Sequence, residues 1–403
     1  MLSAAARPYI DASVPVLRQH GIAITSVFYK NMFQAHPDLK NMFNMGNQAN
    51  GSQQQSLASA VFAYAANIDN AAALAPVIKR IVHKHAAVGL TADHYPIVGE
   101  HLIGAIKQVL GDDSSQELLD AWGEAYWLLA NQLIEAEKEL YIQSDTSAGE
   151  LMELVVINKQ QETDQITSYY LQQTDGNTPG QFVPGQYVSV EAILNEGKQR
   201  QLRQYSLSDS TAAPWWRISV KREDDVSKPQ GQVSNWIHKN IEIGSIIKVS
   251  KPFGDFTLDL ESNKPIALLS AGVGITPMLS MLNTLRDTAP DRDVLFAHAT
   301  QVRAHHAHIE DIITASNNMP HLLVHSYYET ASKAEPILHN TGVHQGLMNI
   351  NGLWESHIQA ADIYLCGPIG FMRAMREDLL ASGIKADRIH REVFGPDLLD
   401  HIL

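Results

Sequence analysis

The stretch Ser270-Ala271-Gly272-Val273-Gly274-Ile275-Thr276-Pro277-Met278 decides the fold of the second half of the chain. It follows the apolar run Pro265–Ser270, and a helix through Leu285 is predicted after it. Two glycines let the backbone approach a phosphate, and the helix that follows offers free N–H groups at its start. A Gly-x-Gly pair is weak alone, because any tight strand-to-helix turn also favours glycine.

Later segments place this turn in a parallel sheet. Apolar runs over Asp293–Ala299, Leu322–Tyr328 and Asp362–Cys366 predict strands that alternate with helices. That alternation is typical of a doubly wound α/β domain. Cys366-Gly367-Pro368 comes at the end of such a strand, where the ligands of open α/β sheets bind.

The preceding region has the pattern of an antiparallel sheet or barrel. Runs that are β-branched or alternate in polarity are separated by Gly, Pro and Asn, and they predict strands at Glu153–Asn158, Tyr187–Ile193, Trp216–Val220 and Ile246–Val249.

Two motifs in this sheet region suit a flavin nucleotide. In Arg203-Gln204-Tyr205-Ser206 a guanidinium can pair with a pyrophosphate, a ring can lie against the isoalloxazine, and a hydroxyl can bond near the flavin N5. Alone, this motif is equally compatible with an exposed strand. Gly231-Gln232-Val233-Ser234-Asn235 adds a glycine turn into a helix whose first amides can receive the same pyrophosphate.

The first 140 or so residues predict helices only. Thr25–Ala35 has apolar residues at helical spacing and stops at His36-Pro37, because a residue before proline resists the α conformation. Pro76 is expected in the first turn of a short helix through Lys84, and Asp93 is expected to cap a helix to Leu110. The last helix is predicted from about Ser114 to Tyr141, before an aperiodic Ser144–Gly149 linker.

These sequence patterns predict a multidomain chain of 403 residues: an all-α domain at 1–143, an antiparallel β-barrel domain at 151–261 and an α/β doubly wound domain at 262–403.

Composition excludes several classes of function. The formal charge of −14, from 44 acidic and 30 basic residues, disfavours nucleic-acid binding. A single cysteine, Cys366, allows neither a disulfide framework nor a cysteine-based metal site. Charges interrupt the Ala- and Val-rich start at Met1–Gln19, and no apolar run is long enough to span a bilayer. We expect a cytoplasmic monomer without stable membrane association.

Among 18 histidines, His85 has the strongest case as a metal ligand. It follows the predicted Pro76–Lys84 helix and precedes the small pair Ala86-Ala87, which would let a haem approach closely. It also lies about 30 residues after a helical segment that holds Gln53 and Leu57, an arrangement that suits a five-coordinate haem. His83 should point elsewhere on the helix and serves as its control.

Residues 151–403 resemble the ferredoxin–NADP reductase-like superfamily, because Arg-x-Tyr-Ser, Gly-x-x-Ser, Gly-x-Gly-x-Thr-Pro, Cys-Gly-Pro and a C-terminal aromatic occur in that order. The resemblance implies FAD, with Phe394 covering the flavin ring. The implied FAD-binding residues are Tyr187, Arg203, Gln204, Tyr205, Ser206, Gly231, Val233, Ser234, Glu392, Val393, Phe394, Gly395 and Pro396. The implied residues for NADH or NADPH are Gly272, Val273, Gly274, Ile275, Thr276, Pro277, Cys366, Gly367 and Pro368.

Residues 1–140 look like the globin domain of flavohaemoglobins, on motifs that include Phe28-Tyr29, Lys84-His85, Asp120-Ala121-Trp122 and the run Tyr95–Leu102. The resemblance implies one haem b with His85 as the proximal iron ligand. It also implies Tyr29 and Gln53 on the distal side, Leu57 above the ligand, Phe43 on the haem face, and a relay of Tyr95 and Glu135 behind His85.

The family implies a nitric oxide dioxygenase, in which electrons pass from NAD(P)H through FAD to haem, and O2 and nitric oxide give nitrate. Two alternatives stay open: an O2 or nitric oxide sensor or carrier with a self-reducing haem, and a flavin reductase for external acceptors. The sequence does not decide between NADH and NADPH.

Overall fold

A computed structural model describes residues 1–195, 197–224, 230–330, 341–350, 353 and 358–395. The described chain forms two compact units. One comprises Met1–Leu151 with Glu191–Arg203 and Gly395, and the other comprises Met152–Val190 with Gln204–Phe394. The predicted three-domain boundaries stay a prediction.

The N-terminal region is helical, as predicted. Its α-helices are α1 Arg7–Ala35, α2 Met45–Ala49, α3 Ser52–Ala66, α4 Ala71–Val88, α5 His94–Leu110 and α6 Gln116–Gln143. α1 ends immediately before His36-Pro37, and α6 begins where the Ser115 hydroxyl accepts a hydrogen bond from the Leu118 N–H at 3.2 Å. None of the helices that the structure describes combines the length and apolar character needed to cross a bilayer.

Two predictions about helix starts are wrong. Pro76 lies inside α4 and not in its first turn, because the Asn70 side chain caps the helix earlier by accepting from the Ala73 N–H at 3.1 Å. α4 also continues past His85 to Val88. Asp93 does precede α5, but its side chain makes no capping hydrogen bond.

An antiparallel sheet follows the helices, with strand order β4-β3-β6-β1-β2-β5 in the described residues. Its strands are β1 Met152–Gln161, β2 Ile166–Gln173, β3 Tyr187–Leu194, β4 Gln199–Ser206, β5 Trp216–Lys221 and β6 Ile246–Val249, and α7 Gln232–Asn240 lies between β5 and β6. β2 was not predicted, yet its side chains from Ile166 to Tyr169 are buried and it pairs with both β1 and β5.

The C-terminal part is a parallel sheet with strand order β10-β9-β8-β7-β11-β12 among the described residues. Its elements are β7 Ile266–Ala271, α8 Ile275–Thr288, β8 Val294–Thr300, α9 Ile309–Asn318, β9 Leu322–Tyr328, β10 Thr341–Gln345, β11 Asp362–Cys366, α10 Ile369–Ala381 and β12 Ile389–Glu392. Apolar clusters cover both faces of this sheet, one of them with α8 and α9 and the other with α10. The predicted order of all-α, antiparallel and doubly wound parts is confirmed.

Candidate functional site

His85 lies in the last turn of α4. Gly89 ends the helix in the left-handed conformation, with φ of 78°, which glycine adopts without steric cost. The His85 side chain is 33% exposed although Ala86 and Ala87 beside it are buried. A ring in this position has one side available to a ligand.

A buried carboxylate holds the Nδ1 side of this ring. His85 Nδ1 lies 2.7 Å from Glu137 Oε1, and the Tyr95 hydroxyl donates to the same oxygen at 2.6 Å. Glu137 is 2% exposed. Because a carboxylate accepts and does not donate, Nδ1 is the donor in this hydrogen bond, and Nε2 makes no hydrogen bond among the described residues.

The carboxylate of the relay was predicted two residues away, at Glu135, and that prediction is wrong. Glu135 is exposed on α6, whereas Glu137 faces inward. Helical periodicity explains why only Glu137 faces inward. Tyr126, Ala130 and Leu133 lie eleven, seven and four residues before it, so they share the inner face of α6 with Glu137. That periodicity was the signal available in the sequence.

Tyr95, the other residue predicted for this relay, lies beside Glu137 and His85, and its role there stays a prediction. Burial, followed by the hydrogen bond to Glu137, raises the pKa of Tyr95 well above its usual value, so its hydroxyl stays a donor. The Tyr126 hydroxyl donates to the Tyr95 carbonyl at 2.6 Å and ties the start of α5 to α6.

This arrangement fits a haem better than a bare metal ion. In the described chain no group of three His, Cys, Asp or Glu side chains can hold a metal. An iron bound through His85 Nε2 therefore needs other ligands, such as those of a porphyrin. The carboxylate behind the imidazole makes that nitrogen a stronger donor, as hydrogen-bonded partners of ligating histidines generally do.

A second cluster in the helical unit contains the predicted distal residues. Tyr29 is 5% exposed on α1, and Gln53 Nε2 lies 3.4 Å from its hydroxyl. Burial raises the pKa of Tyr29 to about 12, and the contact with Gln53 opposes that shift. The Phe43 ring packs edge-on against Tyr29 at 5.8 Å between centroids, and half-buried Leu57 packs on the same core. A neutral phenol among apolar side chains can donate a hydrogen bond to a small ligand.

The predicted flavin residues lie on β3, β4 and the start of α7. Tyr187 begins β3 and is buried, while the Arg203–Ser206 motif ends β4. Gly231 precedes α7 as predicted, and Val233 is buried in its first turn. The Ser234 hydroxyl donates to the Gly231 carbonyl at 3.3 Å and so shapes this turn.

The predicted dinucleotide loop lies at the carboxyl edge of the parallel sheet. Gly272–Gly274 form a short 3-10 turn that leads directly into α8, with Ile275, Thr276 and Pro277 in its first turn. A Cβ on Gly274 would lie 2.3 Å from the Cys366 carbonyl oxygen, so only glycine allows this approach to the end of β11. Gly367 and Pro368 then lead into α10. The two motifs are adjacent in space, as a nucleotide site at a strand crossover requires.

Glu392 ends β12, next to Cys366 in the sheet. Burial, with a smaller effect of Glu392, raises the pKa of the Cys366 thiol well above its usual value, so that side chain is a neutral thiol. Glu392 Oε1 accepts from the Val393 N–H at 3.0 Å, and Phe394 after it is 47% exposed. Gly395 follows in the described chain, and Pro396 lies outside it.

Known proteins match the chain in both regions. A Globin family model matches residues 26–133, and an Oxidoreductase NAD-binding domain model matches residues 268–377. A flavohemoprotein of Chromobacterium violaceum is 44% identical over 401 residues, which is 98% of each chain.

Solved structures agree with these matches. The chain is similar to the flavohemoglobin of Malassezia yamatoensis, solved with FAD and haem bound, at a TM-score of 0.86 and 29% identity over 98% of this chain and 100% of that one. The FAD/NAD-binding domain of a nitric oxide dioxygenase from Vibrio cholerae is 36% identical, with a TM-score of 0.55, over 61% of this chain and 99% of that one.

Proposed function

The chain belongs to the flavohaemoglobin (flavohemoprotein) family, and from this premise we propose that it is an NAD(P)H-dependent nitric oxide dioxygenase. As a member of that family it is a haem and FAD protein that takes electrons from NAD(P)H. When bound, haem supplies the iron at which oxygen and nitric oxide combine to nitrate, and FAD supplies the flavin that accepts a hydride and passes on single electrons.

The observation that carries the proposal is the 2.7 Å contact between His85 and buried Glu137. A globin that only stores oxygen does not need an electron-rich proximal imidazole, whereas one that must activate oxygen gains from it. In this proposal His85 Nε2 holds the iron, Glu137 keeps the proton on Nδ1, and Tyr95 keeps Glu137 in place.

The remaining residues have binding roles in the proposal. Tyr29 and Gln53 donate hydrogen bonds to oxygen, Leu57 keeps water away from it, and Phe43 would pack on the haem face. FAD binds along the Arg203–Ser206 motif, with the first amides of α7 on its pyrophosphate. The other described residues that the sequence implied for FAD complete that site: Tyr187, Gly231, Val233, Ser234, Glu392, Val393, Phe394 and Gly395.

NAD(P)H binds in this proposal at the turn before α8 and at the end of β11, through the residues Gly272, Val273, Gly274, Ile275, Thr276, Pro277, Cys366, Gly367 and Pro368. The neutral Cys366 thiol adds no charge where a nicotinamide ring would lie. A hydride donor and a flavin both react more readily where water and competing charges are excluded.

The test is consumption of nitric oxide by purified protein loaded with haem and FAD. We expect each NAD(P)H to support the conversion of two nitric oxide and two O2 molecules to two nitrate ions, with NAD(P)+ and one proton as the other products. Turnover should stop without O2. NAD(P)H oxidation in air without any nitrate formation would contradict the dioxygenase and favour a reductase for external acceptors.

A further inference from the structure

A buried arginine connects the antiparallel and parallel sheets within the second unit. Arg217 lies on β5 and is 4% exposed. Its Nη1 lies 3.1 and 3.3 Å from the two carboxylate oxygens of Asp311 on α9, and its Nη2 lies 3.3 Å from Oδ1. The same guanidinium donates to the Ser208 carbonyl, and through Nε to the Ser208 hydroxyl at 3.2 Å.

α8 of the parallel-sheet part contacts the same carboxylate as this arginine. Asn283 is fully buried, and its Nδ2 donates to Asp311 Oδ1 at 2.8 Å and to Asp209 Oδ1 at 3.0 Å. The Ser280 hydroxyl donates to the Asp209 carbonyl at 2.9 Å, and Thr284 Oγ1 accepts from the Thr211 N–H at 3.2 Å. The polar face of α8 is thus hydrogen-bonded both to the loop that follows β4 and to Asp311 on α9.

Arg217, Asp311, Asn283, Asp209 and Ser208 form a polar cluster. His308, immediately before α9, completes this cluster. Its side chain has no exposed surface, and its Nδ1 lies 3.2 Å from Asp311 and 3.5 Å from Glu162 in the turn after β1. Its φ of 62° is in the left-handed region that non-glycine residues avoid. Such a conformation persists only where the surroundings determine it, and here Asp311 and Glu162 both lie against the imidazole.

The charges of the cluster favour a fixed geometry. Burial lowers the pKa of Arg217, but Asp311 and Asp209 outweigh that effect and raise it, so the guanidinium stays charged. Burial likewise opposes the ionisation of Asp311, while His308 and Arg217 hold its pKa well below its usual range. A planar guanidinium on a carboxylate is directional, which apolar packing is not.

The location of the cluster relates it to hydride transfer. Ser208 and Asp209 follow Ser206, the last residue of the proposed flavin motif, by two and three positions. α8 begins at the proposed dinucleotide loop, and α9 begins after β8 at the same edge of the sheet. The cluster therefore joins the strand that would hold the flavin to the helices that start where the dinucleotide would lie.

We propose that Arg217 is a positioning residue for hydride transfer: with Asp311 and Ser208 it sets the distance and angle between the nicotinamide and the flavin. Reacting atoms must approach to about 3–3.5 Å, and a displacement of about 1 Å costs on the order of a hundredfold in rate. The inference rests on the NAD(P)H-to-FAD part of the proposed function and is independent of the nitric oxide reaction.

The experiment measures flavin reduction in the holoenzyme by anaerobic stopped flow, with NADH and NADPH in turn. Arg217→Lys keeps the charge but loses the bidentate geometry and a bond to Ser208. We expect the limiting rate of flavin bleaching to fall about tenfold to a hundredfold, with the dinucleotide dissociation constant within about twofold of wild type. Asp311→Asn, which preserves shape, should act in the same direction.

Arg292→Lys is the matched control. Arg292 is another arginine of this unit and is half-buried, but it donates to the backbone carbonyls of Lys264 and Asp259 before β7, at the opposite edge of the parallel sheet. Its variant should reduce flavin at the wild-type rate.

The outcomes separate the two hypotheses. If wild-type protein does not reduce its flavin with either dinucleotide, the proposed function fails. If wild type does so and both Arg217→Lys and Asp311→Asn match it, the positioning role is wrong. Loss of FAD from both variants would make the cluster a folding element and would also overturn the proposal.

Discussion

At the residue scale, the proposed proximal chemistry depends on one carboxylate. Glu137→Gln keeps a hydrogen-bond acceptor for His85 but removes the negative charge behind the imidazole. We expect a lower iron–histidine stretching frequency in the ferrous protein and a fall of about tenfold to a hundredfold in nitric oxide turnover, because the proximal nitrogen becomes a weaker donor. Resonance Raman spectra and nitrate formation measure the two effects.

Glu135→Gln is the control for this prediction, since it makes the same change two residues away on the exposed side of α6. It should leave both measurements unchanged. Equal effects of the two substitutions would assign the loss to α6 in general and would remove the relay from the proposal.

Tyr29→Phe removes the buried phenol from the distal cluster. One lost hydrogen bond to bound oxygen should accelerate oxygen dissociation about tenfold, since such a bond contributes about 1–1.5 kcal/mol.

Burial raises the pKa of Tyr29 to about 12, so the hydroxyl keeps its proton below that pH and loses it only above. Oxygen dissociation from the wild type should therefore be independent of pH between about 6 and 9 as far as Tyr29 is concerned. Flash photolysis checks both statements, and an unchanged rate in the variant would exclude the role of Tyr29.

At the scale of elements, the relay depends on how closely α5 packs on α6. A Cβ on Gly99 of α5 would lie 2.6 Å from the Tyr126 ring, whose hydroxyl holds the Tyr95 carbonyl. Gly99→Ala must therefore displace Tyr126, and we expect a loss of about 1–3 kcal/mol in the free energy of unfolding, together with a shifted iron–histidine frequency. Thermal unfolding followed at the Soret band measures the first effect.

Gly104 lies in the same helix with nothing within 4 Å of an added Cβ. Gly104→Ala should be neutral or stabilise by about 0.5–1 kcal/mol, because alanine is the better helix residue. If Gly99→Ala is equally harmless, the contact between α5 and α6 does not support the relay.

At the scale of the whole molecule, the haem chemistry and the flavin chemistry should be separable. His85→Ala removes the proposed proximal ligand, so we expect an altered Soret spectrum and no nitrate formation. Flavin reduction by NAD(P)H should continue at the wild-type rate, because none of the residues proposed to bind FAD or the dinucleotide is changed. Spectra and stopped-flow traces of one preparation measure both.

His83→Ala, in the same helix, should leave all of these measurements unchanged, since two residues along an α-helix turn the side chain to another face. Nitrate formation that survives in His85→Ala would place the reaction elsewhere in the chain.

Much of this molecule was predictable from local sequence. The glycine loop before α8, the end of α1 before Pro37, and the strands Ile246–Val249, Leu322–Tyr328 and Asp362–Cys366 occur where the residues predicted them. Short-range steric rules and burial on both faces determine these features, so a window of a few residues contains the information. The partner of His85 Nδ1 and the start of α4 were not predicted. The sequence did contain a signal for each, namely the helical periodicity of α6 and the helix-capping residue Asn70.

By itself, then, the sequence determined the order of the three kinds of fold and which short segments would carry haem, flavin and dinucleotide chemistry, because those depend on contiguous residues. Only the tertiary structure decided that the inward-facing Glu137 meets His85 across 52 positions of chain, and that Arg217 meets Asp311 across 94. The physical reason is that such contacts depend on how helices and sheets rotate as they pack, a property that no single segment contains.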